Sequence, residues 1–340
     1  MSTQPTEPEP PVDPTGKGKG PVPPAPEPER VDTLESLEPR AQGSLVWRLG
    51  GVIKTIRPHQ WVKNVFCLAP IAFAKELFDP DLILRAGAAF AVFCLLAGSI
   101  YTMNDIADIE ADRQHPVKRH RPIPSGRVPI GVARALAVTL IAVALVGAAL
   151  TSAGFFAVAI GYFILNVAYS FRLKHVAYVD VCCIAAGFVL RVVGGGSATQ
   201  IQVSSYLLLC TALLALFLGF GKRRHELAAA AGRAGQTRAA LESYTTRGLD
   251  IALSATALTT VVTYLAYTLD PHTREYFQSN SLWVSTLFVV LGVLRFLHLV
   301  RSRPSSESPT QEMLRDGPFV LIVLLWTGLV MWVVYNLRPS

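Results

Sequence analysis

Long apolar runs follow one another through almost the whole of this 340-residue chain, each close to the roughly 20 residues that an α-helix needs to cross a bilayer. Soluble proteins bury apolar residues but do not string such runs end to end, so lipid is the main solvent for this sequence. The expected fold is all-α and polytopic, with about nine transmembrane helices at roughly 61–75, 82–103, 128–150, 153–171, 177–198, 203–220, 248–269, 282–300 and 318–337. Composition agrees, with 51% hydrophobic and only 16% charged residues. No internal repeat is visible.

The formal charge of +7 would suit a nucleic-acid partner if the basic residues formed one soluble face, but they sit in short loops between apolar runs. Membrane topology explains them, and no nucleic acid is expected. Arg48, Lys54 and Arg57 precede the first run; Arg113, Lys118, Arg119, Arg121 and Arg127 follow the second. Later alternate loops carry Arg172 and Lys174, then Lys222, Arg223, Arg224, Arg233 and Arg238, then Arg301, Arg303 and Arg315. The intervening loops hold little beyond Lys75 and Arg274. This bias places a multi-pass protein in the cell (inner) membrane with its N-terminus and basic loops in the cytoplasm.

Residues 1–42 are rich in Pro, Glu, Gly and Thr and too poor in apolar side chains to offset the entropy of ordering, so a disordered cytoplasmic tail is expected ahead of a membrane domain over 43–340. No signal-peptide pattern opens the tail. Cys67, Cys94, Cys182, Cys183 and Cys210 all lie in apolar stretches and read as small core residues, not as a disulfide framework or a zinc site.

The strongest chemical signal closes the second run: Tyr101-Thr102-Met103-Asn104-Asp105-Ile106-Ala107-Asp108-Ile109-Glu110-Ala111-Asp112. On a continuing helix Tyr101, Asn104, Asp108 and Asp112 stack on one face with Asp105 beside them. Carboxylates so crowded at a membrane surface call for a cation, and magnesium suits oxygen ligands that leave room for substrate phosphates. The plain alternative, a solvated acidic helix end, runs against the helix dipole. Asn104, Asp108 and Asp112 are therefore the expected metal ligands, with Asp105 and Asp108 as catalytic candidates.

A basic loop follows at once, His115-Pro116-Val117-Lys118-Arg119-His120-Arg121-Pro122, in which Lys118 and Arg121 could hold phosphate oxygens or could simply mark the cytoplasmic side. At the next cytoplasmic turn Tyr169-Ser170-Phe171-Arg172-Leu173-Lys174 precedes Asp180, and Arg191 lies in the apolar run beyond. On a 3.6-residue repeat Asp180, Ile184, Gly187 and Arg191 share a face, so an acid and a base would line one groove at different depths. Snorkelling to the interface is the structural alternative for Arg191, as it is for Lys63, which follows Trp61 and precedes Asn64 at the start of the first run.

The runs N-D-I-A-D-I-E-A-D and R-P-I-P-S-G together resemble the first aspartate motif of the UbiA-type prenyltransferase superfamily, and Y-S-F-R-L-K with Asp180 resembles its second. The likeness spans roughly residues 45–340 and implies a UbiA-like bundle with its cavity at the cytoplasmic side. In prenyl-diphosphate users the second motif carries paired aspartates, whereas here Ile184 follows Asp180. R-P-H-Q-W-V-K-N, the H-P-x-K loop, Y-S-x-x-L-K and Arg191 are instead similar to a branch that transfers a phosphoribosyl group to a polyprenyl phosphate for cell-wall arabinan precursors.

That branch implies Mg2+ as cofactor, phosphoribosyl diphosphate and polyprenyl phosphate as substrates, membrane lipid as surroundings, and leaves a homo-oligomer open. It implies Lys63, Asn64, Tyr101, Lys118, Arg121, Tyr169, Lys174 and Arg191 as substrate-binding residues and Asp180 as a catalytic residue that orients ribose or a cation. The competing readings are prenyl transfer to an aromatic acceptor and, from another class, a membrane transporter. A transporter is disfavoured because the ions cluster at one face.

Overall fold

The computed structural model describes residues 43–230, 241, 243–302, 313 and 315–336. The tail 1–42 and the expected basic residues Arg233, Arg238 and Arg303 lie outside them. The chain divides into two units, Met1–Trp47 and Arg48–Ser340, and the second carries all that follows except the first three residues of α1.

Among the described residues the architecture is all helical: α1 (Leu45–Thr55), a 3-10 segment (Pro58–Leu68), α2 (Ala69–Phe73), α3 (Pro80–Ala107), α4 (Ile109–Gln114), α5 (Ile130–Thr151), α6 (Ala153–Phe171), α7 (Val179–Thr199), α8 (Ser205–Ala230), α9 (Thr246–Leu269), α10 (Pro271–Phe277), α11 (Ser285–Ser302) and α12 (Gly317–Asn336). Eight of these stretches are long and apolar enough to cross a membrane. They correspond to eight of the nine expected spans. The expected first span, 61–75, is instead the 3-10 segment followed by the short α2. Pro58 opens it, Pro70 interrupts it, and its Asn64 side chain turns inward to a buried arginine.

Caps written in the sequence set the ends. Asp79 accepts hydrogen bonds from the Asp81 and Leu82 amides with Pro80 in the first helical turn, Ser152 divides α5 from α6 while capping the Phe155 amide, and Thr245 caps the Gly248 amide. In lipid there is little hydrophobic gain from bringing helices together, so close van der Waals fit has to hold them. Small residues supply it. Ala89, Ala144, Ala148 and Ala159 are fully buried where α3, α5 and α6 meet around an edge-to-face cluster of Phe93, Phe155 and Tyr162.

The closest approach involves α7. A Cβ built on Gly195 would lie 1.8 Å from the Cys67 carbonyl oxygen, so only glycine lets the 3-10 segment lie directly on this helix. A second cluster, with Phe217 against Phe296 and Leu249 and Leu253 nearby, joins α8, α9 and α11.

The cysteines follow the expected burial only in part. Cys67 and Cys94 are buried, Cys183 and Cys210 half-buried, and Cys182 is exposed. An exposed apolar side chain on a spanning helix faces lipid, which a sequence period alone does not distinguish from core.

Candidate active site

The acidic stretch does not continue as one helix. α3 ends at Ala107, Asp108 stands at the joint with φ −93° and ψ 9°, and α4 starts at Ile109. The expected single ladder of Asn104, Asp108 and Asp112 is thereby divided. Asp105 and Asp112, each 2% exposed, turn toward the basic loop. Nη1 of Arg121 donates to both, at 3.2 Å to Asp105 Oδ1 and 2.6 Å to Asp112 Oδ2. Arg57 Nη2 donates to Asp105 at 2.5 Å while its guanidinium lies 4.9 Å from the Tyr101 ring centroid, and Lys118 Nζ is 3.7 Å from Asp112. Two buried carboxylates are thus matched by three cations, which is what makes their ionised forms tolerable.

Among the described residues Asn104 and Asp108 are left with unpaired side chains. Asn104 lines a groove with Ile100, Met103, Val167, Ser170 and Phe171, so the end of α3 meets the end of α6. Lys174, on the 3-10 turn Leu173–His175, follows a few residues on and has no ion-pair partner among the described residues. The two motifs therefore open at the same end of the bundle.

The donor set can be tested against magnesium. Among the described residues no three His, Cys, Asp or Glu side chains form a closed metal cage. Magnesium does not demand one: it keeps several waters and takes one or two protein oxygens plus substrate phosphates. The unpaired Asn104 and Asp108 oxygens, at an accessible helix joint beside a cationic loop, fit that pattern.

The second motif is arranged differently from its sequence expectation. Asp180 and Arg191 share α7 but not an environment. Asp180, 1% exposed, pairs with Arg223 Nε of α8 at 2.6 Å through Oδ2. Its Oδ1 accepts from the Tyr244 hydroxyl at 2.5 Å and from the Val181 amide at 2.8 Å. Arg223 also pairs with Glu226. The Tyr244 hydroxyl in turn accepts from the Tyr178 amide at 2.7 Å. Burial, then the bond given to Asp180, pushes the Tyr244 phenol above its ordinary value, so it stays a donor across the working pH range. Tyr178 has φ +66°, a strained conformation for a tyrosine, and its ring is held against Tyr244 and Phe220.

Arg191 is buried about three turns further along the same helix. Nε donates to Asn64 Oδ1 at 2.8 Å, Nη1 to the Gly187 carbonyl at 3.0 Å and Nη2 to the Tyr162 hydroxyl at 2.6 Å. The guanidinium also lies over the Tyr162 and Phe188 rings. It does not snorkel. It ties the 3-10 segment to α6 and α7, and no described carboxylate lies within ion-pair distance of it.

Sequence reasoning treated Arg57 and Arg223 only as orientation signals and passed over Glu226, Tyr244 and Tyr162. The K-R-R-H-E spacing, which puts Arg223 and Glu226 three residues apart on a helix, was the one available hint. The arrangement of Asp180 has a measurable consequence. Removing Arg223 strands a buried carboxylate, a change that costs about 3 kcal/mol. Arg223→Ala is expected to lower the thermal unfolding midpoint clearly, and adding Asp180→Asn to it should recover part of the loss; a double variant less stable than Arg223→Ala would contradict the pairing.

An all-helical membrane bundle whose acidic and basic motifs meet at one end defines a class of integral-membrane enzymes that work on phosphorylated substrates. The chain belongs to the UbiA prenyltransferase family, whose model matches residues 64–315. It is 37% identical over 288 residues to the decaprenyl-phosphate phosphoribosyltransferase of Mycobacterium tuberculosis, covering 83% of this chain and 93% of that one. It is 35% identical over 289 residues to the protein of the same name from Corynebacterium glutamicum, covering 84% and 87%. The fold is similar to that of a UbiA homologue from Archaeoglobus fulgidus bound to DMAPP and Mg2+, with a TM-score of 0.62 at 19% identity over 84% of this chain and 99% of that one.

Proposed function

We propose that this protein transfers a 5-phosphoribosyl group from phosphoribosyl diphosphate to a polyprenyl phosphate, releasing diphosphate, at the cytoplasmic face of the cell membrane. The observation that carries the reading is the convergence of the Asn104–Asp112 stretch, the Lys118–Arg121 loop and the Tyr169–Lys174 turn at one end of the bundle, with unpaired oxygens at Asn104 and Asp108. Curated relatives that match over most of the chain carry the phosphoribosyltransferase name. The collection of basic residues at that end supports the cytoplasmic orientation.

Asn104 and Asp108 would hold magnesium, which when bound there neutralises charge on the diphosphate leaving group. Lys118 and Arg121, already placed by Asp112 and Asp105, offer their remaining donors to phosphate oxygens, and Lys174 approaches from the α6–α7 turn. The reaction breaks the bond between the anomeric carbon and the diphosphate oxygen, which leaves with the electron pair. A phosphate oxygen of the acceptor forms the new bond to that carbon. The acceptor is already an anion, so no general base is required, and fixed cations stabilising the departing charge supply most of the catalysis. Asp180, neutralised by Arg223, positions the start of α7. In a cell the product would serve as a lipid-linked pentose donor for wall arabinan.

Prenyl transfer to an aromatic acceptor is the competing reading, favoured by the fold match to proteins solved with DMAPP and GPP. Membranes containing the protein are expected to label polyprenyl phosphate from radiolabelled phosphoribosyl diphosphate, and not hydroxybenzoate from a labelled prenyl diphosphate. The opposite pattern would reverse the assignment.

A further inference from the structure

The cations at this end of the bundle fall into two groups. Arg57, Lys118 and Arg121 each pair with Asp105 or Asp112. Lys63 and Arg191 have no described carboxylate within ion-pair distance, although the two are neighbours: Asn64, next to Lys63, accepts from Arg191. Burial first, then the positive charges of Lys222 of α8, Arg191 of α7 and Arg57 of the turn before the 3-10 segment, lowers the pKa of the Lys63 ammonium to about 8. Lys222 is 3.8 Å from Glu226, so one acid stands at the margin of this group. Lys63 is accessible, whereas Arg191 behind it is buried. A cluster of cations around an accessible ammonium with no described carboxylate at ion-pair distance of its own is an anion site.

The flank of that site is apolar. In a 3-10 helix residues three apart eclipse, so Val62 and Val65 stack on one face of the segment, at 61% and 48% exposure, directly beside Lys63. A ligand satisfying both features carries a phosphate at one end and a hydrocarbon chain running along the membrane-facing valines.

We infer that Lys63, backed by Arg191, binds a metal-free phosphomonoester whose hydrocarbon tail runs over Val62 and Val65, namely the phosphate of the polyprenyl acceptor. This rests on the proposed function for the identity of the acceptor. It assigns the two anionic substrates to different cations: the donor's diphosphate to Lys118, Arg121 and Lys174, the acceptor's phosphate to Lys63 and Arg191. Arg57 pairs with Asp105, and its charge also bears on Lys63, so the two groups of cations adjoin. The other phosphomonoester available is the 5-phosphate of the donor sugar.

The test uses the full-length protein in lipid nanodiscs, with Lys63→Met, Lys63→Arg and Val65→Glu. Lys63 is accessible and unpaired, so these variants should keep the wild-type melting temperature. Binding of a fluorescent polyprenyl phosphate is measured with EDTA and no donor present. Wild type should bind; Lys63→Met and Val65→Glu should each weaken binding at least about tenfold, and Lys63→Arg should restore most of it. In steady state Lys63→Met should raise KM for polyprenyl phosphate while KM for phosphoribosyl diphosphate stays within about twofold of wild type. A raised donor KM with unchanged lipid-phosphate binding would hand Lys63 to the sugar 5-phosphate and overturn the inference. EDTA-insensitive, Lys63-dependent lipid-phosphate binding in a protein that fails to use phosphoribosyl diphosphate would uphold this site while sinking the proposed reaction.

Discussion

Asp108→Asn is expected to lower turnover by on the order of a thousand-fold while leaving the protein folded. The side chain is exposed at the joint between α3 and α4 and makes no hydrogen bond or ion pair among the described residues, so its loss removes no described contact that holds the fold together. On the proposed reading it removes a magnesium-binding oxygen beside the diphosphate, and losing one stabilising group for a developing anion costs roughly 10²–10³ in rate. Added magnesium should rescue part of the activity, because the remaining Asn104 oxygen and the substrate phosphates still offer ligands. Asp105→Asn should behave differently. It strips the carboxylate from Arg57 and Arg121 together, so melting temperature and turnover should both fall. Near wild-type turnover in Asp108→Asn, with unchanged magnesium dependence, would remove Asp108 from the site.

The second large effect should come from Gly195, an uncharged position one turn beyond Arg191 on α7. Its added Cβ would meet the Cys67 carbonyl oxygen at 1.8 Å and carbon at 2.8 Å, both backbone atoms that no side-chain rotation can relieve. Gly195→Ala must therefore push the 3-10 segment away from α7, carrying Lys63 and Asn64 with it and stretching the Asn64–Arg191 bond. A displacement of about 1 Å at substrate-positioning groups can cost roughly a hundred-fold in rate. Turnover should fall to that extent and the unfolding temperature should drop. Gly87→Ala is the matched control: nothing lies within 4 Å of its built Cβ, so it should behave as wild type. Wild-type melting and turnover in Gly195→Ala would show that the segment's seat on α7 is not required.

The amino-acid sequence by itself determined the class of fold and the chemistry of the site. Apolar runs near bilayer length leave the backbone no solvent but its own helix, so the eight long helices were legible, as were the acidic stretch and the basic loop after it. Local chemistry also wrote the caps at Asp79, Ser152 and Thr245. What only the tertiary structure decided is which charge meets which. Asp105 and Asp112 are joined by Arg121 across a helix break that periodicity extended straight through, and Asp180 finds Arg223 and Tyr244, residues 43 and 64 positions away. Arg191 finds Asn64 across 127 positions, and the first expected span becomes a 3-10 segment because Gly195 lets it lie against α7. The reason is range: hydrophobic length and capping act within a few residues, whereas a buried charge takes the partner that helix packing delivers.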